Sequence, residues 1–250
     1  MPVMDEFKEE REQIKSAPLK KKLEYFWEYY KWYVLGGIVA ICVIVGLVRT
    51  AMNRRDTAFY CVFLNFTEVT EEAEQRADQF LEVLQMDPGK YRVYFDTSLY
   101  IRADGASEMS IVSNEKLMTL LYAQEMDYLI AGEEMFTKYA YQGILIPLGD
   151  YLTEDELSGY EGRIFYVDRA LMTNDDEGLE GYSGKVPVYP DPFRPEEMRD
   201  PLPVALCLDD AQLLHTDYVC TDKDAHILGG AVAGAKHKEA VQVFLNYLEP

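Results

Sequence analysis

A chain of 250 residues with 24 basic and 44 acidic side chains carries a formal charge of −20, and at 48% hydrophobic it has the apolar material for a substantial core. So acidic a surface repels phosphate backbones and anionic headgroups, which excludes nucleic acid as a partner class. Four cysteines, Cys42, Cys61, Cys207 and Cys220, are too few and too scattered for a disulfide framework.

Residues 4–15 are highly charged and helix-like, and Ser16 with Pro18 then marks a fresh helix start, serine near the cap and proline in the first turn. The helix is expected to continue through a belt of rings, Tyr25, Phe26, Trp27, Tyr29, Tyr30, Trp32 and Tyr33, into the apolar run of residues 34–48. With Trp32 and Tyr33 that run reaches the roughly 17 residues needed to cross a bilayer core, and the belt suits headgroup depth. Seven basic residues precede it (Lys8, Arg11, Lys15, Lys20, Lys21, Lys22, Lys31), whereas only Arg49, Arg54 and Arg55 follow closely, so the N-terminus is expected in the cytoplasm. The leader is too long for a cleaved signal, and residues 47–52 hold no small-x-small site. Ile41 before Cys42 likewise argues against a lipid-modified cysteine. The division expected is a tail and interfacial helix (1–31), an anchor (32–52), a linker (53–57) and an outer domain (58–250). Residues 1–48 balance seven basic against seven acidic side chains, so the acidity belongs to residues 49–250, with 17 basic and 37 acidic.

The block Lys22-Leu23-Glu24-Tyr25-Phe26-Trp27-Glu28-Tyr29-Tyr30-Lys31-Trp32 resembles the segment preceding the anchor in small single-pass membrane proteins of anaerobic Gram-positive bacteria. The resemblance implies membrane topology rather than chemistry.

Beyond the linker, residues 58–66 are almost continuously apolar, as in a strand covered on both faces. Thr70 is placed to cap a helix whose Ala73, Ala77, Phe80, Leu81 and Leu84 share one face, and Asp87-Pro88-Gly89 stops it. A strand is expected at 91–95, a helix around 114–123 through Leu117, Leu120 and Leu121, and a strand at 128–131. A short helix with Phe136, Tyr139 and Ala140 should follow, and then an extended segment at 144–148. Alternation of this kind predicts an α/β domain with a parallel or mixed sheet and helices on its faces. At the end of the chain Val241, Phe244, Leu245 and Leu248 fall at i, i+3, i+4 and i+7, the spacing of a buried helix face.

Asp127-Tyr128-Leu129-Ile130, Phe136, Tyr139-Ala140, Gly143, Leu145, Pro147-Leu148, Asp150 and Leu152 resemble a strand–helix–turn passage of the extracellular solute-binding proteins of bacterial ABC importers. Lys236-His237-Lys238-Glu239-Ala240, leading to Phe244-Leu245 and Tyr247-Leu248, is similar to their closing helix. The resemblance implies a periplasmic-binding-protein-like fold, here one full lobe plus a reduced second lobe within 153–222. It also implies recognition of a small solute or of a protein partner, without catalysis. The outer domain contains no tryptophan for stacking on a sugar ring.

Other chemistry is thinly represented. His215, His226 and His237 have no metal-motif spacing, no cysteine pair has zinc spacing, and no cofactor is implied. Ser183 lacks a nucleophile elbow, and the glycine-rich stretch 229–237 has alanine where a phosphate loop needs lysine. The acidic loop 174–178 misses the calcium register at Gly178. Cys207 and Cys220 are available for an extracellular disulfide, although a domain this size stands without one. The alternative class is a cell-wall hydrolase with opposed carboxylates, for which 37 acids nominate no pair. A ligand site, if present, belongs at the carboxyl ends of the strands. Its candidates are Asn65 and Thr67, Thr97 and Ser98, Gly132 and Glu133, and Tyr189 from a proline-rich loop on the opposing segment.

Overall fold

A computed structural model describes residues 18–52, 54–102, 107–172, 189–222 and 226–248. The charged segment 4–15, the acidic loop 174–178 and Ser183 lie outside the described residues. The chain forms two units, Met1–Arg54 and Arg55–Pro250.

Among the described residues the first unit holds one helix, α1 (Leu19–Met52), of 34 residues, or about 51 Å. Pro18 stands immediately before it, where a missing N–H costs no helical hydrogen bond. Its segment Lys31–Arg49 has a mean hydropathy of 2.2 with none of it buried against the protein, so it is long and apolar enough to cross a membrane.

The second unit is α/β. Its main sheet has six strands in the order β3-β1-β4-β8-β6-β5, formed by β1 (Asp56–Phe63), β3 (Tyr91–Asp96), β4 (Tyr128–Gly132), β5 (Ile164–Asp168), β6 (Pro201–Cys207) and β8 (Ile227–Ala231). β1 runs parallel to β3 and β4, and the pairs β4–β8, β8–β6 and β6–β5 are antiparallel, so the sheet is mixed. A separate ribbon pairs β2 (Phe66–Glu68) with β7 (Tyr218–Cys220).

Strand alternation divides the core into two faces. Phe59, Cys61, Phe63, Tyr128 and Ile130 face α2 (Ala73–Val83) and α7 (Lys238–Leu248). Val62, Leu64, Leu129 and Ala131 face α3 (Glu108–Tyr122) and α4 (Glu133–Tyr141). Two shorter helices, α5 (Glu154–Gly159) and α6 (Gln212–Thr216), complete the described set. The centre of the first face is aromatic: Phe244 lies with its ring 4.9 Å from Phe59, 5.3 Å from Phe80 and 5.4 Å from Phe95.

Local chemistry explains most boundaries. Thr70 does cap, its Oγ1 accepting from the Ala73 N–H at 3.2 Å. The strand expected over 58–66 breaks at Asn65, whose φ of 62° turns the chain into β2. Helix α3 starts six residues before its apolar spacing indicates, capped by Ser107. On its buried side stand Ser110 and Ser113, which accept from the N–H groups of Arg102 and Tyr100 at 3.0 and 3.1 Å. Polar residues on an inward face carry no hydrophobic signal, so the periodicity starts late. At 144–148 there is a single bridge, Leu145 to Val232.

The reduced second lobe expected within 153–222 does not form a sheet of its own among the described residues. β5 and β6 join the main sheet instead: Val204, Ala205 and Leu206 are apolar and buried, and β6 pairs with β8 through Leu206 and Cys207. The glycines of β8 serve that crowding. A side-chain carbon on Gly230 would stand 2.8 Å from the Val204 carbonyl oxygen, and one on Gly229 2.6 Å from Leu208.

Candidate functional site

The carboxyl ends of β1, β3 and β4 share one edge of the sheet because these strands are parallel. In the antiparallel register Ile227 stands opposite Gly132 and Cys207 opposite Leu228, which brings the end of β6 and the start of β8 to the same edge. From β1 the chain goes to β3 on one side and then to β4 on the other. The switch point of the topology therefore lies between β1 and β4, where open α/β sheets leave a crevice.

Among the described residues, several of the protein's own side chains meet there. Asn65 is 1% exposed. Its Oδ1 accepts from the Ile101 N–H at 2.7 Å, while its Nδ2 donates to the Ile101 carbonyl at 2.8 Å and to the Asp222 carboxylate at 3.1 Å. The Thr221 N–H and hydroxyl both donate to the Asn65 carbonyl, at 2.8 and 2.9 Å. Asp222 also presses on Gly132, where any side-chain carbon would lie 3.0 Å from it. Asn65 and Gly132 thus meet through Asp222, a residue with no local sequence signal.

The other candidates are dispersed. Thr97 donates to Glu68 at 3.0 Å. Ser98 belongs to a cluster around Asp96, which accepts from the Tyr60 hydroxyl at 2.6 Å, the Ser98 hydroxyl at 2.6 Å and Lys116 Nζ at 2.7 Å. Burial pushes the Asp96 carboxyl up, but the Lys116, Ser98 and Tyr60 hydrogen bonds outweigh it and hold the group below its ordinary range. Burial, reinforced by Asp96, raises the Tyr60 phenol far above its ordinary value. Thr67 is exposed on β2, opposite Val219. Glu133 opens α4 next to Gly132. Tyr189 stacks on Tyr141, centroids 3.7 Å apart, and Tyr141 closes α4 about 13 Å of helix away from Gly132. The proline-rich loop therefore does not bring Tyr189 to the crevice edge.

The same edge carries a group that spacing along the chain does not reveal. His226 Nδ1 lies 2.5 Å from Asp209 Oδ2 and 4.0 Å from Cys207 Sγ. Asp209 uses its other oxygen to accept the Ile227 N–H at 2.8 Å. The Asp209 hydrogen bond raises the imidazole pKa against a smaller opposing effect of burial, and the charges of Asp209 and Glu133 add to the rise. Burial pushes the Cys207 thiol up to about 11. Cys207 and Cys220 are both free.

The buried carboxylates have structural partners. Asp127 accepts from the N–H groups of Tyr60, Lys236 and His237, each at 3.0 Å. Asp168 accepts from the N–H groups of Ala170, Arg199 and Asp200. Asp217 binds Thr70 and Arg76. Each neutralises backbone or side-chain donors rather than facing a second acid.

Fold and edge together define a mixed-sheet α/β domain that follows one apolar helix in the chain. Comparison with protein-family models, curated proteins and solved structures returns no match.

Proposed function

We propose that this chain is a single-pass membrane protein with a cytoplasmic N-terminus, whose α/β unit stands outside the cytoplasm as a non-catalytic recognition module, a reduced relative of the solute-binding proteins that binds a protein rather than a small solute. The observation that carries the reading is the occupied switch point. Asn65, Ile101 and Asp222 satisfy one another where a solute would need free donors, and Gly132 is covered by Asp222. The apolar segment Lys31–Arg49 and the excess of basic residues before it support the anchor and its orientation. A partner has something to hold: Met109, Ile111 and Val112 expose more than half of their surface on α3. With 37 acidic side chains against 17 basic ones in residues 49–250, a complementary surface is apolar at its centre and basic at its rim.

Three measurements on the full chain test the reading. In intact cells an impermeant maleimide should label a cysteine introduced at position 55 and spare one at position 15; the reverse pattern overturns the orientation. Thermal melts against a panel of sugars, amino acids and short peptides should show no saturable rise, since a ligand that binds only the native state must stabilise it. A saturable rise restores solute capture. A photo-crosslinker at Val112 should give one discrete protein adduct that Met109→Asp abolishes, and an adduct indifferent to Met109→Asp counts against the partner.

A further inference from the structure

We propose that Cys207, Asp209 and His226 form a binding site for a divalent cation of the zinc class. A thiol, a carboxylate and an imidazole each offer one atom, and the three atoms lie within 4.8 Å of one another. Zinc at ordinary bond lengths and tetrahedral angles needs about 3.6 Å between sulfur and nitrogen and about 3.3 Å between nitrogen and oxygen. The present separations of 4.0 and 2.5 Å fall on either side of those values, so side-chain rotations of less than about 1 Å complete the set.

The direction of the imidazole decides between two chemistries that use these residue types. A nucleophilic relay requires histidine to face the carboxylate with one ring nitrogen and the thiol with the other. Here Nδ1 faces both, so the three groups converge on one point instead of forming a chain.

The ligands sit on a rigid frame, as metal sites require. Cys207 ends β6 with its N–H bonded to the Arg163 carbonyl at 2.7 Å, and Leu208 bonds across to Ile227 at 2.8 Å. The Ile227 N–H fixes one oxygen of Asp209 and leaves the other for the ion. Phe193 packs edge-on against His226 at 5.3 Å. Asp210 follows Asp209 in the chain and Glu133 follows Gly132, which stands opposite Ile227, so further acids on this edge attract a cation. Sulfur and nitrogen donors select zinc-like ions over calcium and magnesium. On binding, the Cys207 S–H bond breaks, a sulfur–metal bond forms and one proton leaves to solvent. Three protein ligands leave a fourth position for water or for a donor from outside the chain.

The test is titration of the reduced full chain in detergent micelles with Co²⁺, whose thiolate complexes absorb in the near ultraviolet. The wild type should develop that band, lose it when Zn²⁺ is added, and melt at a higher temperature with Zn²⁺ than without. Cys207→Ser should abolish the band while leaving the metal-free melt unchanged, and Cys220→Ser should keep it. Asp209→Asn, which retains the acceptor for the Ile227 N–H, and His226→Gln should each weaken Co²⁺ binding at least about tenfold. Absence of the band in the wild type, its persistence in Cys207→Ser, or its loss in Cys220→Ser overturns the site. None of these outcomes depends on whether the domain recognises a protein or a solute.

Discussion

Asn65 holds a left-handed backbone, φ 62°, while its buried carboxamide spans Ile101 and Asp222. Alanine removes both roles and leaves the Ile101 N–H and carbonyl without their partner. Loss of buried hydrogen bonds and the cost of a left-handed conformation together predict that Asn65→Ala destabilises the fold by about 2–4 kcal/mol in urea titrations. Asn65→Gly tolerates the backbone and should recover about 1 kcal/mol of that loss. A loss below about 0.5 kcal/mol for the alanine variant would show that the loop is held by other contacts. Asp96 allows a pH test. Its folded pKa is depressed below the ordinary 3.8, so the unfolded chain takes up the proton first as acid is added. Its stabilisation is therefore complete above about pH 5 and is lost as pH falls through the unfolded and then the folded pKa. Asp96→Asn should flatten the stability–pH curve on that acidic limb and leave its shape near neutrality unchanged, as read from urea midpoints at a series of pH values.

Among the helices, α7 shows how far periodicity alone can reach. Val241, Phe244, Leu245 and Leu248, placed on one face by their spacing, are all buried, and the exposed Glu239 and Asn246 lie on the other. Phe244 contacts rings from β1, α2 and β3, so truncation opens a cavity in the centre of one layer. Phe244→Ala should cost about 3–5 kcal/mol, with Glu239→Ala within about 0.5 kcal/mol of wild type, both measured by chemical denaturation. α3 shows the opposite case. Its first two turns are hidden from any hydropathy reading because Ser110 and Ser113 do the inward work by accepting backbone N–H groups. Similarly, β1 is shorter than its apolar run, since the chemistry of Asn65 is conformational rather than hydrophobic.

At the scale of the molecule, the unit Arg55–Pro250 contains both core faces complete, with every strand of the six-stranded sheet supplied from within it. A chain beginning at residue 55 should therefore be soluble and unfold in one cooperative transition, with coincident curves from circular dichroism and tyrosine fluorescence. Aggregation on release from the anchor, or two separated transitions, would count against a self-sufficient core. The transition should not sharpen or shift with protein concentration in a manner that requires α1.

What the chain determined by itself is what depends on neighbours in sequence. The apolar run before Arg49, the partition of charge, the 3.6-residue stripe of α7 and the alternation of strands and helices are all local or additive properties, and the α/β class with its single apolar helix follows from them. Pairing across the sheet is not local. β5 and β6 look like the start of a second lobe until register places β6 beside β8, and nothing near Gly132 announces that Asp222 will cover it. The same register carries His226 to Cys207 and Asp209 across a separation of 19 and 17 residues. Such groupings exist only once antiparallel hydrogen bonding fixes which residues stand opposite one another, because side-chain chemistry acts over a few ångströms of space and not along the chain.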